Sequence, residues 1–419
     1  MGGSLDLSRA AARAAARAPR HRGSGWWRRE PVDLVAEAVA RHADRVAVTD
    51  RDGSMTYGEL DGAIDVAASA LVERGVGEGD PVLVLAANDL PSVVTIHAVL
   101  RVGAVAMVAP TNAGAAQIGD IRDATQPVLT VAPGGVIETA EPEWPTPSEL
   151  LAGEPPLGSP WAARDPDEPA LVIFTSGTSD APKAVICSQR RLLTSAVRLG
   201  MILDVGPDDV GYVCMPLFHS NAVMVGWAPS IVSGASVGLS RRFSASGWLP
   251  DVRRFGATYW NYTGKPLAYI LATPEQPDDA DNPLRVAYGN EGSAHLVEGF
   301  AHRFGVHVID AYGATEGGIA VNRDVEPRPG ALGVAPETVK VVDDDGTERT
   351  RARFDDKGRL LNPDECVGEM VNTGGPGPFE GYYKNEEAYR KATRNGWYWS
   401  GDLGYIDSDG YIYFAGRTA

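Results

Sequence analysis

Between Pro31 and about Pro133 two hydrophobic periods alternate along the chain, and this alternation restricts the fold more than any other feature. Val32, Leu34, Val35 and Val39 recur at helical spacing within Pro31 to His42. Tyr57 to Arg74 carries a longer helical pattern that stops at Gly75 and Gly77, and Pro91 to Val102 repeats it. Strand-like stretches lie between them at Val46 to Val48, Pro81 to Ala86 and Ala104 to Val108. Pro81 to Ala86 is apolar at every position, as a strand covered by helices on both faces of a parallel sheet must be. A β-α-β-α order of this kind predicts a doubly wound α/β sheet.

Residues 134 to 168 are rich in Pro, Glu and Gly and read as a surface connection. A strand over Ala170 to Phe174 then runs into a loop of small residues, and β/α alternation resumes to about Glu316. Beyond Val321, short strands separated by Gly/Pro/Asp turns, as at Asp343 to Gly346 and Gly374 to Pro378, predict a β-rich, barrel-like subdomain. The expected division is a basic tail over 1–29, a first β/α subdomain over 30–168, a second over 169–320 and the β-rich subdomain over 321–419. At 419 residues, several units are the natural expectation.

A net charge of −17 argues against a general nucleic-acid surface. The first 29 residues run the other way, with seven arginines and one acid, Asp6. Arg9, Arg13 and Arg17 sit at helical spacing among alanines, with no strong apolar face opposite. A solvated tail is therefore expected ahead of a targeting or membrane-surface helix. No run of about eighteen apolar residues marks a membrane span, and no apolar segment with a cleavage site follows the arginines. Cys187, Cys214 and Cys366 are scattered without metal-ligand spacing, which fits packing in a reducing cytoplasm. A cytoplasmic protein without a nucleic-acid partner or transmembrane segment is expected; the oligomeric state is left open, a dimer included.

The chemistry begins in Thr175-Ser176-Gly177-Thr178-Ser179-Asp180-Ala181-Pro182-Lys183, directly after a buried strand. Gly177 permits close backbone approach, the hydroxyls and N–H groups are donors for phosphate oxygens, and Lys183 adds positive charge. Its Gly and Lys spacing is not that of the NTPase P-loop. The loop resembles the pattern Thr-Ser-Gly-Thr-Thr/Ser-Gly-x-Pro-Lys-Gly of the adenylate-forming superfamily, which includes acyl-CoA synthetases, peptide-synthetase adenylation domains and luciferases. Asp180 and Ala184 stand where that pattern has glycine. Asp180 sets a negative charge near where pyrophosphate would lie, which predicts weakened ATP binding unless the side chain faces solvent.

Four further segments match the same superfamily in order. In Met215 to Asn221, the resemblance implies that His219 flanks the acid being activated, with Ser220 and Asn221 beside it. Ala287 to Gly292 would lie along adenine, with Gly289, Asn290 and Glu291 at the base. Asp310-Ala311-Tyr312-Gly313-Ala314-Thr315-Glu316 is similar to the family's Tyr-Gly-x-Thr-Glu motif. It implies Tyr312 stacked on adenine, Asp310 accepting from the adenine amino group, Thr315 on the α-phosphate and Glu316 on Mg²⁺, a cation that favours oxygen ligands. In Trp399 to Gly404, Asp402 would accept both ribose hydroxyls, and Arg417 would contact ribose or phosphate just before a hinge. Lys183, His219, Thr315 and Glu316 are thus the expected catalytic residues.

Residues 257 to 316 look most like the very-long-chain acyl-CoA synthetase and fatty-acid–CoA ligase branch. That likeness places an acyl pocket at His219, Ser220, Asn221, Met224, Trp227, Trp260, Tyr262, Lys265 and Gly313. It implies ATP-dependent formation of an acyl-AMP and transfer to a thiol, with CoA as acceptor and Mg²⁺ as cofactor. Family members continue past the hinge into a lid that supplies a lysine. The sequence stops at Thr418-Ala419, so the lid is expected outside this chain and adenylation by the chain alone is expected to be impaired. Two alternatives stay open: a diazotase that activates nitrite for an aromatic amine, and a non-catalytic AMP/ATP-binding module. A dinucleotide dehydrogenase is disfavoured, because no Gly-x-Gly-x-x-Gly follows a strand.

Overall fold

The computed structural model describes residues 34–134, 144–154, 161, 165–175, 183–322 and 328–418; the basic tail lies outside them. Local signals set the first elements. Helix α1 (Leu34–His42) buries Leu34, Val35 and Ala38 and leads into strands β1 (Val46–Thr49) and β2 (Ser54–Thr56). Helix α2 (Tyr57–Glu73) opens on a capping box in which Thr56 caps Glu59 N and the Glu59 carboxylate accepts from Thr56 N at 2.8 Å. The chain then reverses through Gly75 at φ +85°. Strand β3 (Pro81–Ala86) is buried as its two-faced apolar sequence requires. Helix α3 (Leu90–Val102), capped by Asp89 and stopped by left-handed Gly103, hands over to β4 (Val105–Pro110). Helix α4 (Ala115–Thr125) and β5 (Leu129–Val131) continue the rhythm.

After the short helix α5 (Pro147–Leu150), β6 (Pro169–Thr175) and β7 (Lys183–Ser188) form an antiparallel pair, followed by α6 (Gln189–Ile202). The second β/α run comprises β8 (Val210–Val213), a π-helix (Asn221–Trp227), α7 (Ala228–Val232), β9 (Ser236–Leu239), α8 (Ala245–Phe255), β10 (Tyr259–Thr263), α9 (Gly264–Leu271), β11 (Val286–Asn290), α10 (Ala294–Phe304) and β12 (His307–Gly313). Last come β13 (Ala320–Asn322), β14 (Ala331–Val334), β15 (Val339–Val342), α11 (Pro363–Cys366), β16 (Gly368–Asn372), α12 (Glu386–Ala392), β17 (Tyr398–Ile406) and β18 (Tyr411–Arg417).

These strands build three sheets, in the orders β5-β3-β4-β6-β7, β13-β12-β11-β10-β8-β9-β1-β2 and β14-β18-β17-β16-β15. The first two are parallel apart from their antiparallel edges, and the third is antiparallel throughout. The fold class is therefore α/β with a β-rich part, as expected. Sheet membership does not follow the expected boundary at 168/169. Strands β6 and β7 complete the first sheet, while β1 and β2 join the far edge of the second, where Val48 pairs with Val237. Periodicity identifies a strand but not its partner, and β1 finds its partner almost two hundred positions away.

Asn88, nearly fully buried, ties the two β/α layers: its amide donates to Met215 O at 2.8 Å and Ser240 O at 3.1 Å, and its oxygen accepts from Leu217 N. Among the described residues no helix is long and apolar enough to cross a membrane. The three cysteines are buried free thiols. Burial pushes Cys187 and Cys214 up to about 12, far from thiolate chemistry.

Candidate active site

The site is assembled where strands of the second sheet end. Strands β10, β11 and β12 run parallel in register, so that Tyr262, Gly289 and Asp310 lie side by side across the sheet. Ligands of open α/β sheets bind beyond such carboxyl ends. Gly289 is required here, since a Cβ would collide with the Tyr262 carbonyl oxygen and ring. Asn290 follows with its Oδ1 buried and without a hydrogen-bond partner among the described residues, an orphaned acceptor beside the expected adenine position. Glu291 is exposed and takes a left-handed φ of 65°.

Asp310 is buried, and its Oδ2 accepts from Tyr262 Oη and from Gly292 N, both at 2.8 Å. Ala311 continues the strand into half-buried Tyr312, beyond which Gly313 and Ala314 are exposed. The Tyr312 hydroxyl donates to Asp402 Oδ2 at 2.5 Å, and Arg417 Nε lies 3.2 Å from Asp402 Oδ1. Cross-strand pairing of Asp402 with Arg417 places those two opposite each other on β17 and β18. Burial, reinforced by the Asp402 charge, pushes the Tyr312 phenol far above its ordinary range, so it remains a donor.

Thr315 and Glu316 occupy the turn after β12. Thr315 Oγ1 is 3.0 Å from Ser220 Oγ, which joins this turn to the His219 segment. Glu316 Oε1 accepts from the Tyr382 hydroxyl at 2.8 Å. The Tyr382 ring also lies 5.4 Å from Lys183 Nζ, a cation–π distance. Tyr382 thus links Glu316 to Lys183. Sequence reasoning misses it, because nothing local separates Tyr382 from a core tyrosine. Thr175 and Lys183 pair across β6 and β7, closing the base of the phosphate loop. Ser176, Gly177, Thr178, Ser179 and Asp180 lie outside the described residues.

His219 is exposed on one side and leans on Phe218 with ring centroids 4.5 Å apart; partial burial lowers its pKa from the usual histidine value. The π-helix starts two residues later, a geometry that concentrates at functional sites. Asn221 belongs to its frame: its amide donates to Tyr262 O at 2.9 Å, and its oxygen accepts from Asn261 at 2.7 Å. Met224 is half-buried against the core, and Lys265 is exposed near the start of α9.

Three residues expected at the acyl pocket are buried: Trp260, Tyr262 and Trp227, the last lining an apolar cavity with Leu217 and Val223. Trp260 is fully buried in an aromatic cluster with Trp248 and Phe300, its centroid 5.0 and 5.5 Å from theirs. Tyr262 is also fully buried and spends its hydroxyl on Asp310. Trp227 points into the core, donating to His97 Nε2 at 2.8 Å.

At the start of β12, His307 has a buried Nε2 without a partner among the described residues, and burial lowers its pKa from 6.5. A depressed folded-state pKa means that the unfolded chain binds the proton more readily. The stabilising contribution is therefore complete above about pH 6.5 and is lost as pH falls through the folded value. Urea unfolding midpoints are expected to drop between about pH 7.5 and 5.5, and to drop less in His307→Asn. Equal drops in both proteins would exclude His307 as a source.

The description "AMP-binding enzyme" belongs to a family that matches residues 35–383. The steroid-22-oyl-CoA synthetase of Rhodococcus jostii (strain RHA1) is 45% identical over 335 residues, covering 76% of this chain and 60% of that protein. The medium/long-chain-fatty-acid–CoA ligase FadD17 of Mycobacterium tuberculosis is 46% identical over 316 residues, covering 74% and 60%. The chain thus spans 60% of the length of each of these relatives. Its fold resembles the crystal structure of ATP-bound MatB from Rhodopseudomonas palustris, with a TM-score of 0.77 at 23% identity over 93% of this chain and 79% of the other. A match over most of the chain, together with five motif segments whose described parts are joined by hydrogen bonds and ring contacts, leads to one conclusion: this chain belongs to the AMP-binding enzyme family.

Proposed function

We propose that the chain is the nucleotide-binding body of an ATP-dependent acid–thiol ligase, which forms an acyl-AMP and passes the acyl group to CoA. The observation that carries this reading is the meeting of Tyr312, Asp402 and Arg417 on one side and Thr315, Glu316 and Lys183 on the other, about exposed Gly313 and Ala314. The orphaned Asn290 Oδ1 suits a base amino group, and Asp402 suits a pair of vicinal hydroxyls. The names of the two bacterial relatives favour a fatty or steroid acid over an amino acid.

In this reading an oxygen of the acid attacks the α-phosphorus of ATP while the bond to pyrophosphate breaks on the opposite side. Thr315 donates to the α-phosphate and Lys183 offsets its growing charge. His219, at the head of the π-helix and beside Ser220, which meets Thr315, would flank the acid. A thiol then attacks the acyl carbonyl and AMP leaves.

Mg²⁺ fits the residues present. Glu316 commits one oxygen to Tyr382, and no group of three or more His, Cys, Asp or Glu gathers among the described residues. One carboxylate plus nucleotide phosphates and water is the usual way Mg²⁺ is held. When bound it would screen phosphate charge. Glu316→Gln keeps the shape and the hydrogen bond from Tyr382 but removes the charge. It is expected to abolish most of the Mg²⁺-dependent gain in ATP affinity in calorimetry, leaving Mg²⁺-independent AMP binding within about threefold. An unchanged Mg²⁺ dependence would remove Glu316 from the metal site.

The reaction itself is tested by ATP–pyrophosphate exchange with fatty, steroid and aryl acids, using this chain and a version continued with a family lid. Nitrite with an aromatic amine belongs in the same panel, since diazotisation uses the same attack on the α-phosphorus. AMP binding without exchange from either protein would leave a nucleotide-binding module.

A further inference from the structure

Arg191, in the first turn of α6, is only 6% exposed, and no carboxylate lies within ion-pair distance of it among the described residues. Its guanidinium is spent on backbone. Nη1 donates to Ile186 O at 2.7 Å, and Nη2 donates to Thr315 O at 2.5 Å and Glu316 O at 2.9 Å; Nε is buried without a partner among the described residues. One rigid fork thus joins β7, whose first residue is Lys183, to the turn that carries Thr315 and Glu316. The turn is seated tightly on it. Gly317 follows at φ +74°, and a Cβ there would lie 3.3 Å from Arg191 Nη2 and 3.1 Å from Pro378. The base of α6 is itself anchored, since Ser188 N and Oγ both donate to Glu380 at 2.6 Å while Ser188 Oγ caps Arg191 N.

Burying a guanidinium without a counter-ion is costly, and an apolar side chain of similar volume is commonly the more stable filler. Packing alone is thus a poor reason for arginine at this place. Its planar fork holds three carbonyls on two separate segments from two nitrogens in fixed geometry, which the single ammonium nitrogen of lysine cannot reproduce and an apolar residue cannot do at all. It also places a positive charge directly behind the backbone whose side chains face the phosphate.

We propose that Arg191 is a positioning residue for the phosphate end of the nucleotide site, locking the Thr315–Glu316 turn to the strand that closes the phosphate loop. This rests on reading the site as one for a nucleotide. Thr315 and Glu316 contact phosphate and metal, whereas base and ribose are held by Asn290, Tyr312 and Asp402. Loss of the strut should therefore weaken phosphate recognition and spare nucleoside recognition.

The test compares AMP and adenosine binding by calorimetry in the unsubstituted chain, Arg191→Met and Arg191→Lys, with melting curves for each. AMP affinity is expected to fall about tenfold in Arg191→Met and about threefold in Arg191→Lys, while adenosine affinity stays within about twofold. Arg191→Lys keeps charge and approximate volume, so it carries the comparison if the methionine variant does not fold. Parallel losses of AMP and adenosine, no loss of either, or failure of both variants to fold would each overturn the proposal and leave Arg191 a packing residue. Failure of the unsubstituted chain to bind either ligand would instead overturn the nucleotide reading, and this proposal with it.

Discussion

Asp402→Ala is expected to bind AMP at least about a hundredfold more weakly than the unsubstituted chain, a loss near 3 kcal/mol, and to melt lower because the Tyr312 hydroxyl loses its acceptor, a cost of about 1–3 kcal/mol. The two halves of this expectation come from different magnitudes. The ion pair to Arg417 joins a carboxylate that is 7% exposed to a guanidinium that is 60% exposed, so solvent screens it and its share in stability is about 1 kcal/mol or less. Toward a ligand, the buried carboxylate is already oriented by Tyr312 and Arg417 and offers charge-assisted acceptors to two hydroxyls, each worth about 1.5 kcal/mol or more. Calorimetry with AMP checks the first half and a thermal melt the second. AMP affinity within threefold of the original would break the assignment of β17 and β18 to the ribose side.

Trp248→Ala is expected to have the largest effect on stability, about 3–5 kcal/mol. Trp248 is fully buried and packs edge-on against Phe300 and Phe304, at 5.1 and 4.9 Å between centroids, and tilted against Trp260. Its Nε1 has no hydrogen-bond partner among the described residues, so the loss is one of packing and cavity formation. Trp248→Phe, which fills most of the space, should cost less than half as much. Urea unfolding of the two variants separates these outcomes, and an alanine variant with an unshifted midpoint would show that this cluster is not structural. Strand β10 lies over the same cluster through Trp260. A softened cluster should therefore also loosen Tyr262 and the Asp310 brace it supplies.

Residues whose neighbours in sequence fix their role are legible in the amino-acid order. Thr56 and Glu59 cap a helix through contacts three positions apart. Pro81–Ala86 announces a covered strand because every position is apolar. Asp310, Tyr312, Thr315 and Glu316 stand out together because they lie on one strand and in the turn directly after it, and Asp402 and Arg417 because they lie in short motifs of their own. The polarity of Tyr262 and the size of Trp260 are compatible with a pocket wall, but their direction is set by sheets and helices from elsewhere in the chain. Tyr382 and Arg191 carry no local signal, since their partners Glu316 and the Thr315 carbonyl are 66 and 124 positions distant.

The amino-acid order alone determined the β/α alternation and the helix caps and stops, because each depends on contacts within a few residues; the strings proposed to face phosphate, base and sugar stand out in it only through their resemblance to a family. Tertiary structure alone decided which strands share a sheet, which aromatics are core, and which buried side chains brace the Thr315–Glu316 turn. Those outcomes depend on packing between segments far apart in the chain, where the burial of apolar surface and the pairing of every buried donor are settled for the whole molecule at once.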